Sequence, residues 1–465
     1  MPILSFRSDD ALVAWPAVTN RVGSYFAALQ YQLELSQWWT PDQLLARQFA
    51  QLERLASHAF RTVPFQQERL LAAGYQPDVP LSPDVWARIP VLMRQTVQQA
   101  GAHLRSREVP GHHGKSFETS SSGSTGMPVT VVKTGQANSV WQAITLRDHL
   151  WHRRDLALKL CAIRDAEAIF GIGKGHMAAF PKGASWATWG GAAAHIFATG
   201  ASSSLHIHTP VEQQAEWLQR ERPAYLVTFP SNLASLVKYC EAQSIYFPDL
   251  HGLSTLGEVV TDELRDATRN AWGLELKDIY SSAETGYIAL QCPEHDHYHL
   301  QSEAALVEIL DTENRPCRPG EVGRVVVTPL HNFATPLLRY AIGDYAEVGE
   351  TCPCGRGLPV LRRVLGRTRN MLTFPDGRQI WPELEGATFA EVAPVTQFQV
   401  IQKSRSALEV RLVPARTLTA GEEDGLRTMI RQRLGYDFAI DFTYHAAIER
   451  SRSGKYEDFK SEIAG

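Results

Sequence analysis

The run Thr119-Ser120-Ser121-Ser122-Gly123-Ser124-Thr125-Gly126-Met127-Pro128 constrains this chain more than any other stretch. Eight of its ten residues are Ser, Thr or Gly. Hydroxyls compete with the backbone for hydrogen bonds, and glycine frees the backbone to bend, so neither a helix nor a regular strand is expected to run through it. The β-branched Val129-Thr130-Val131-Val132 follows at once. A sharp loop feeding a strand lets successive N–H groups point at one anion. The hydroxyls of Ser122, Ser124 and Thr125 add neutral donors suited to phosphate oxygens. The Gly-Lys-Ser/Thr of a Walker A loop is absent. A Ser/Gly linker is the plain alternative, and the flanking strand argues against it.

The loop also marks a change of texture. Before it, residues from about 20 to 105 read as helical: Tyr25, Leu29, Leu33 and Trp38 recur near helical spacing, as do Leu44, Phe49, Leu52 and Leu55. Val63-Pro64-Phe65 interrupts the pattern. After it, short β-branched runs such as Leu226-Val227-Thr228-Phe229 and Val325-Val326-Val327 alternate with helical stretches, the pattern of an α/β fold. Near the C-terminus, Phe398 and Val400, then Leu408, Val410 and Leu412, alternate with polar residues. Leu426, Met429, Ile430 and Leu434 form one helical face, and Phe438, Ile440 and Phe442 alternate again. Strand, strand, helix, strand is a small α+β unit. With 465 residues, the chain exceeds the ~250–300 that one core serves. The expected division is 1–366 and 367–465, at the polar Gly366-Arg367-Thr368-Arg369-Asn370.

Composition excludes several classes. The net charge of −4 lacks the basic excess of a nucleic-acid binder. No stretch approaches the ~20 apolar residues of a membrane span. The opening residues show no basic-then-apolar export signal, which predicts a cytoplasmic protein. Six cysteines in this length do not make a disulfide framework.

Four further segments carry chemistry. Asp278-Ile279-Tyr280-Ser281-Ser282-Ala283-Glu284-Thr285-Gly286 reads as a strand ending in an aromatic and a hydroxyl-rich turn with one carboxylate. The ring can stack on a base, and the carboxylate can hold a hard cation beside phosphates. Ile342-Gly343-Asp344 places a carboxylate after a glycine turn, where it suits the hydroxyl pair of a ribose. Gly366-Arg367 lies at the expected boundary. Arg450-Ser451-Arg452-Ser453-Gly454-Lys455 puts a lysine on a glycine-containing loop of the small unit, able to reach a carboxylate and a phosphate together.

In this order, these elements resemble the adenylate-forming superfamily of acyl-CoA synthetases and their relatives. Within it, the chain is most similar to phenylacetate–CoA ligase-like enzymes. Leu55 to Phe65, Ile89-Pro90-Val91-Leu92 and Cys352-Pro353-Cys354-Gly355-Arg356 extend the likeness over roughly residues 50 to 460. The resemblance implies a large adenylation domain of mixed sheets and helices and a small mobile α+β domain. It implies that Ser122, Gly123, Ser124, Thr125 and Gly126 handle the ATP phosphates, and that Gly257-Glu258 lies beside the adenine. Asp278 and Tyr280 would flank the base, with Ser281 in the same nucleotide-binding turn. Glu284 would associate with Mg²⁺, Asp344 with the ribose, and Arg367 would precede the hinge. Lys455 would be the adenylation lysine. The implied reaction joins a small, aromatic carboxylic acid to AMP and then to a thiol, coenzyme A. A carrier protein or an amine is the alternative acceptor, a silent nucleotide-binding relative the alternative of another class. Homodimers are plausible by analogy only. Ser281 stands where the family has Gly, Ala283 where it has Thr or Ser, and Ile342 where it has Thr. Arg369-Asn370 replaces the hinge's acidic pair, and Val129 follows Pro128 in place of Lys.

Cys292-Pro293-Glu294-His295-Asp296-His297-Tyr298-His299 and Cys352-Pro353-Cys354 are two soft-ligand loops sixty residues apart. Together they suit a closed Cys₃His zinc site of Cys292, His299, Cys352 and Cys354, with His295 as the rival histidine. Some phenylacetate-ligase-like enzymes resemble this. Trp186 and Trp189, in a glycine-rich stretch that borders the acyl pocket in the family, are expected either to wall the acid or to pack in the core.

Overall fold

The computed structural model describes residues 4–121, 128–165, 182–382, 384, 386–451 and 454–463. The chain forms two compact units, Met1–Val364 and Leu365–Gly465, so the division falls two residues before the expected one.

The large unit opens with the expected helices, chiefly Arg21–Ser36, Pro41–Thr62 and Pro64–Ala72. Thr40 and Gln43 close a capping box on Pro41–Thr62. Its face of Leu44, Leu52, Leu55, Ala56 and Ala59 is buried. Gln48 lies on that face and donates to the carbonyls of Ser302 and Ala305 at 2.8 and 3.0 Å.

One mixed sheet organises this unit. Its strands are β1 (Leu92–Met93), β4 (Leu160–Arg164), β5 (Ala184–Trp186), β6 (Ser202–His206), β7 (Tyr225–Thr228), β8 (Gly252–Leu256), β9 (Leu276–Ser282), β10 (Gly286–Gln291), β11 (Tyr298–Leu300), β12 (Ala305–Leu310), β13 (Val322–Pro329), β14 (Tyr340–Val348) and β15 (Val360–Arg367). A separate hairpin pairs β2 (Ser116–Ser120) with β3 (Thr130–Thr134) around the hydroxyl loop. Within the sheet, β6, β4, β7, β8 and β9 run parallel. The helices Val211–Glu221, Pro230–Gln243 and Asp262–Trp272 make the crossovers. At β10 the sheet turns antiparallel and continues through β11 to β15. Strand β1 pairs with β14, bringing Leu92 opposite Tyr340. Ligands of such sheets gather at the C-terminal ends of the parallel strands, which here are the ends of β7, β8 and β9.

Arg339, fully buried before β14, holds helix and sheet together. It clamps Glu308 at 2.9 and 3.1 Å and donates to the Ile89 carbonyl at 2.8 Å. A buried cation is stable only with this much pairing.

The small unit follows its sequence pattern. Strands Val395–Ser404, Ala407–Pro414 and Ala439–Tyr444 form a sheet that the short Phe459–Ser461 extends. Helix Ala420–Leu434, capped by Thr419 and Glu422, buries Leu426, Met429, Ile430 and Leu434 against it. The hairpin of Leu372–Thr373 with Gln379–Ile380 was not legible in the alternation.

Candidate active site

The turn after β9 brings several expected residues together. Tyr280 donates from its hydroxyl to Asp344 Oδ2 at 2.9 Å, so the aromatic and the β14 carboxylate stand side by side. Glu284 is buried at 2% exposure. Arg94 donates to it at 3.0 Å and Tyr340 donates from its hydroxyl at 3.3 Å. Ser282 and Thr285 share a 2.8 Å hydroxyl contact that closes the turn without a hydroxyl at Ala283. Gly286 ends the turn at φ +101°, and a Cβ there would face the Trp141 ring at 3.6 Å.

Asp278 sits deeper. Its carboxylate accepts from Thr255 Oγ1 at 2.7 Å and from the Tyr298 hydroxyl at 2.8 Å. Both oxygens thus serve the scaffold beneath the Tyr280 turn. Burial raises its carboxyl to about 6, against the help of Thr255 and Tyr298. The native state therefore holds a proton between about pH 4 and 6 that the unfolded chain releases, so this group's contribution to stability falls as pH rises across that window. Asp278→Asn does not titrate. Relative to wild type, the variant should gain roughly 2 kcal/mol between about pH 4 and about pH 7, read from urea unfolding at both values. Parallel profiles would remove Asp278 as the titrating group.

Gly257 and Glu258 follow β8. Glu258 Oε2 accepts from the Ser231 N–H at 2.9 Å, at the positive N-terminus of helix Pro230–Gln243. Ser122, Gly123, Ser124, Thr125 and Gly126 lie outside the described residues. The base of their loop is described: Ser121 Oγ accepts from the Val129 N–H at 2.8 Å and from Arg94 Nη2 at 2.7 Å. Lys133, on the same face of β3 as the buried Val129 and Val131, lies 5.1 Å from the Trp141 ring centroid. Burial lowers its ammonium to about 8, and the charge of Glu284 opposes that shift.

Sequence reasoning passed over Arg94 and Lys133. The available signals were a lysine on the buried face of a strand and a cation two residues after Ile89-Pro90-Val91-Leu92.

Arg367 ends β15 within the second unit, in which Lys455 occupies a tight loop. The Lys455 N–H donates to Ser451 Oγ at 3.0 Å, and its carbonyl accepts from the Ser451 N–H at 2.8 Å. Tyr456 donates to the Phe398 carbonyl and so anchors the following residues to the sheet. Asn370 donates to the Phe459 carbonyl at 2.7 Å, and Arg369 pairs with Glu457.

The cysteine loops meet. The Sγ atoms of Cys292 and Cys352 are 3.9 Å apart, and Cys354 Sγ is 3.4 Å from His299 Nε2. Around a tetrahedral zinc with ~2.3 Å bonds to sulfur, two sulfurs stand ~3.8 Å apart. Each Cys-Pro loop turns its backbone donors inward: Cys354 N–H points at Cys352 Sγ at 3.4 Å, and the Glu294 and His295 amides support Cys292. The His299 Nδ1–H donates to the Leu358 carbonyl, which leaves Nε2 as the lone-pair donor. Burial lowers this imidazole to about 4 and raises the Cys352 thiol to about 12.

His297, not His295, is the second histidine in this cluster, with its ligating atom within 4.8 Å of those of Cys292, His299 and Cys352. His295 lies one ring farther out, stacked on His297 at 5.2 Å. The buried His297 Nε2 has no hydrogen-bond partner. A metal would satisfy such an orphaned atom, so the donor set fits zinc.

Beside the cluster, the Arg356 guanidinium lies between Trp38 and Trp151, 4.9 and 4.8 Å from their ring centroids. The Trp39 carbonyl would be 1.7 Å from a Cβ on Gly357, so only glycine fits this approach.

Trp189 is half-buried and packs against the core. Its indole N–H donates to the Leu158 carbonyl at 2.8 Å, and its ring packs on His149 and Tyr225. Trp186 lies on the edge strand β5, half-buried.

Comparison with known proteins agrees with this geometry. The model of the AMP-binding enzyme family matches residues 119–333, and that of the CapK C-terminal domain matches residues 372–462. The chain is similar to the phenylacetate-coenzyme A ligase of Thermus thermophilus, with 26% identity, 82% of this chain and 83% of the relative being covered. A phenylacetate-coenzyme A ligase of Pseudomonas putida is also 26% identical, over 71% of this chain and 72% of its own. Among solved structures, 2-hydroxyisobutyryl-CoA ligase in its postadenylation state shares the fold. It superposes with a TM-score of 0.72 at 18% identity, covering 92% of this chain and 91% of its own. Among the described residues, no helix is long and apolar enough to cross a membrane.

Proposed function

We propose that the chain is a member of the adenylate-forming superfamily and acts as an ATP-dependent, AMP-forming acid–thiol ligase on an aromatic carboxylic acid, with coenzyme A as acceptor. One observation carries the reading. Tyr280 and Glu284, at the end of the last parallel strand and within the stretch that the AMP-binding model matches, converge with Asp344 and Tyr340 of β14, which follows that stretch. The names of the curated relatives support coenzyme A and an aryl acid, and leave a carrier protein the weaker alternative.

In the proposed reaction, a carboxylate oxygen attacks the α-phosphorus of ATP, the bond to the β-phosphate oxygen breaks, and pyrophosphate leaves. Coenzyme A sulfur then attacks the acyl carbon, losing its proton, and AMP departs. Asp344 would hold the ribose, Tyr280 the base, and Lys455 the charge that grows on the α-phosphate. Glu284 would hold Mg²⁺, which supplies charge neutralisation to the phosphates. Cys292, His299, Cys352 and Cys354 would hold a structural zinc, with His297 as the rival ligand in place of His295.

Acid-dependent pyrophosphate exchange across a panel of aryl, arylacetic and aliphatic acids tests the reading. We expect exchange with an aromatic acid and thioester formation once coenzyme A is added. Exchange without thioester would replace the acceptor, and no exchange with any acid would favour a silent relative.

A further inference from the structure

The phosphate loop has no lysine of its own: Val129 follows Pro128. A triphosphate brought to Glu284 would meet a buried carboxylate, so side chains must supply positive charge in addition to that of Mg²⁺. Two cations approach that carboxylate. Arg94 begins the helix Arg94–Ala100, directly after β1, whose pairing with β14 places it beside Tyr340. Its Nη1 donates to Glu284 at 3.0 Å and to the Tyr340 hydroxyl at 3.3 Å, and its Nη2 donates to Ser121 at 2.7 Å. Its Nε is buried and makes no hydrogen bond. Lys133 comes in from the other stem of the loop hairpin, its Nζ resting on the Trp141 ring. The Trp141 face does not cancel the charge of Lys133, since an aromatic face attracts a cation without neutralising it. Among the described residues, Arg94 and Lys133 thus set two positive charges against the one negative charge of Glu284.

We propose that Arg94 and Lys133 form a cationic cradle for the β- and γ-phosphates of ATP, in which Arg94 is the positioning residue that ties Glu284 to the stem of the phosphate loop and Lys133 is the cation that faces the phosphates. The inference rests on the ATP-dependent reading above and assigns two residues to it. No part of it depends on the conformation of residues 122–127.

Binding of ATP and of AMP, measured by titration calorimetry without acid or coenzyme A, separates this role from a structural one. AMP lacks the phosphates that the cradle would hold. Lys133→Met should weaken ATP by about tenfold and leave AMP within about twofold. Arg94→Ala should weaken ATP similarly, and more in EDTA than in Mg²⁺, because Mg²⁺ offsets the Glu284 charge that the variant exposes. Arg94→Lys, which keeps a charge but not the fork, should recover ATP more in EDTA than in Mg²⁺. Should Lys133→Met fold poorly, Lys133→Arg keeps the charge and should preserve the wild-type ratio of ATP to AMP affinity. Equal losses for ATP and AMP, or no loss for ATP, would overturn the cradle. A wild type that binds neither nucleotide would sink the ligase reading itself, a separate result.

Discussion

Lys455→Ala should lower acid-dependent pyrophosphate exchange by about 10²–10³-fold, the usual cost of removing a group aimed at developing transition-state charge. The loss should be confined to the first half-reaction. Given synthetic acyl-adenylate and coenzyme A, the same variant should form thioester at near the wild-type rate, because that step breaks a carbon–oxygen bond and leaves the α-phosphate intact. Lys455→Arg should recover little, since a planar fork does not replace a compact ammonium. The fold is not expected to suffer. The loop is held by the Ser451 hydroxyl, the Lys455 backbone and the Tyr456 anchor, none of which needs the lysine side chain. Equal losses in both half-reactions would assign Lys455 to general binding, and an unchanged exchange rate would remove it from the chemistry.

Cys352→Ser should cost the protein its metal and several kcal/mol of stability. Purified wild type is expected to carry about one zinc per chain, and the variant close to none. The destabilisation should be large because the loop packs inward. Cys352 is 3% exposed, and the adjacent Arg356 is sandwiched by Trp38 and Trp151. Without metal, the buried sulfurs and the orphaned His297 Nε2 keep their desolvation cost and lose their compensation. Chelation of wild type should reproduce the variant's melting temperature. Exchange activity at low temperature should fall far less than stability, as expected of a staple remote from bond making. Metal-free wild type of unchanged stability would end the zinc assignment.

Much of this was legible in the residues. Period-two alternation located the strands of the small unit, and helical spacing located Pro41–Thr62, because in both cases one face is buried and the other wet. The cysteine pairs pointed to each other through their chemistry alone. What stayed hidden depended on contacts between distant segments. Arg94 owes its place to the pairing of β1 with β14, nearly 250 residues on. His295, His297 and His299 share one parity, so alternation cannot choose between 295 and 297; the fold does, by bringing His297 within 4.8 Å of the other ligating atoms. Trp189 reads alike as wall or core in the sequence, and its indole bond to Leu158 follows only from the fold.

The docking of the first helix carries a consequence for how the chain is made. Gln37, at the end of Arg21–Ser36, accepts at its side-chain carbonyl from Arg356 and at its backbone carbonyl from Gly357, contacts that span 319 and 320 residues. Synthesis runs from the N-terminus at roughly 5–20 residues per second. The earliest helices therefore emerge well before the knuckle that receives Gln37, and the apolar faces of Phe26, Leu33 and Leu44 find only part of their cluster, between residues 143 and 197, before Tyr287, Leu290 and Leu358 are made. The large unit cannot close vectorially. Its last loop completes its first helix, so a ribosome stalled before Cys352 should hold a chain that recruits chaperones, while one stalled after the large unit has cleared the exit tunnel should not.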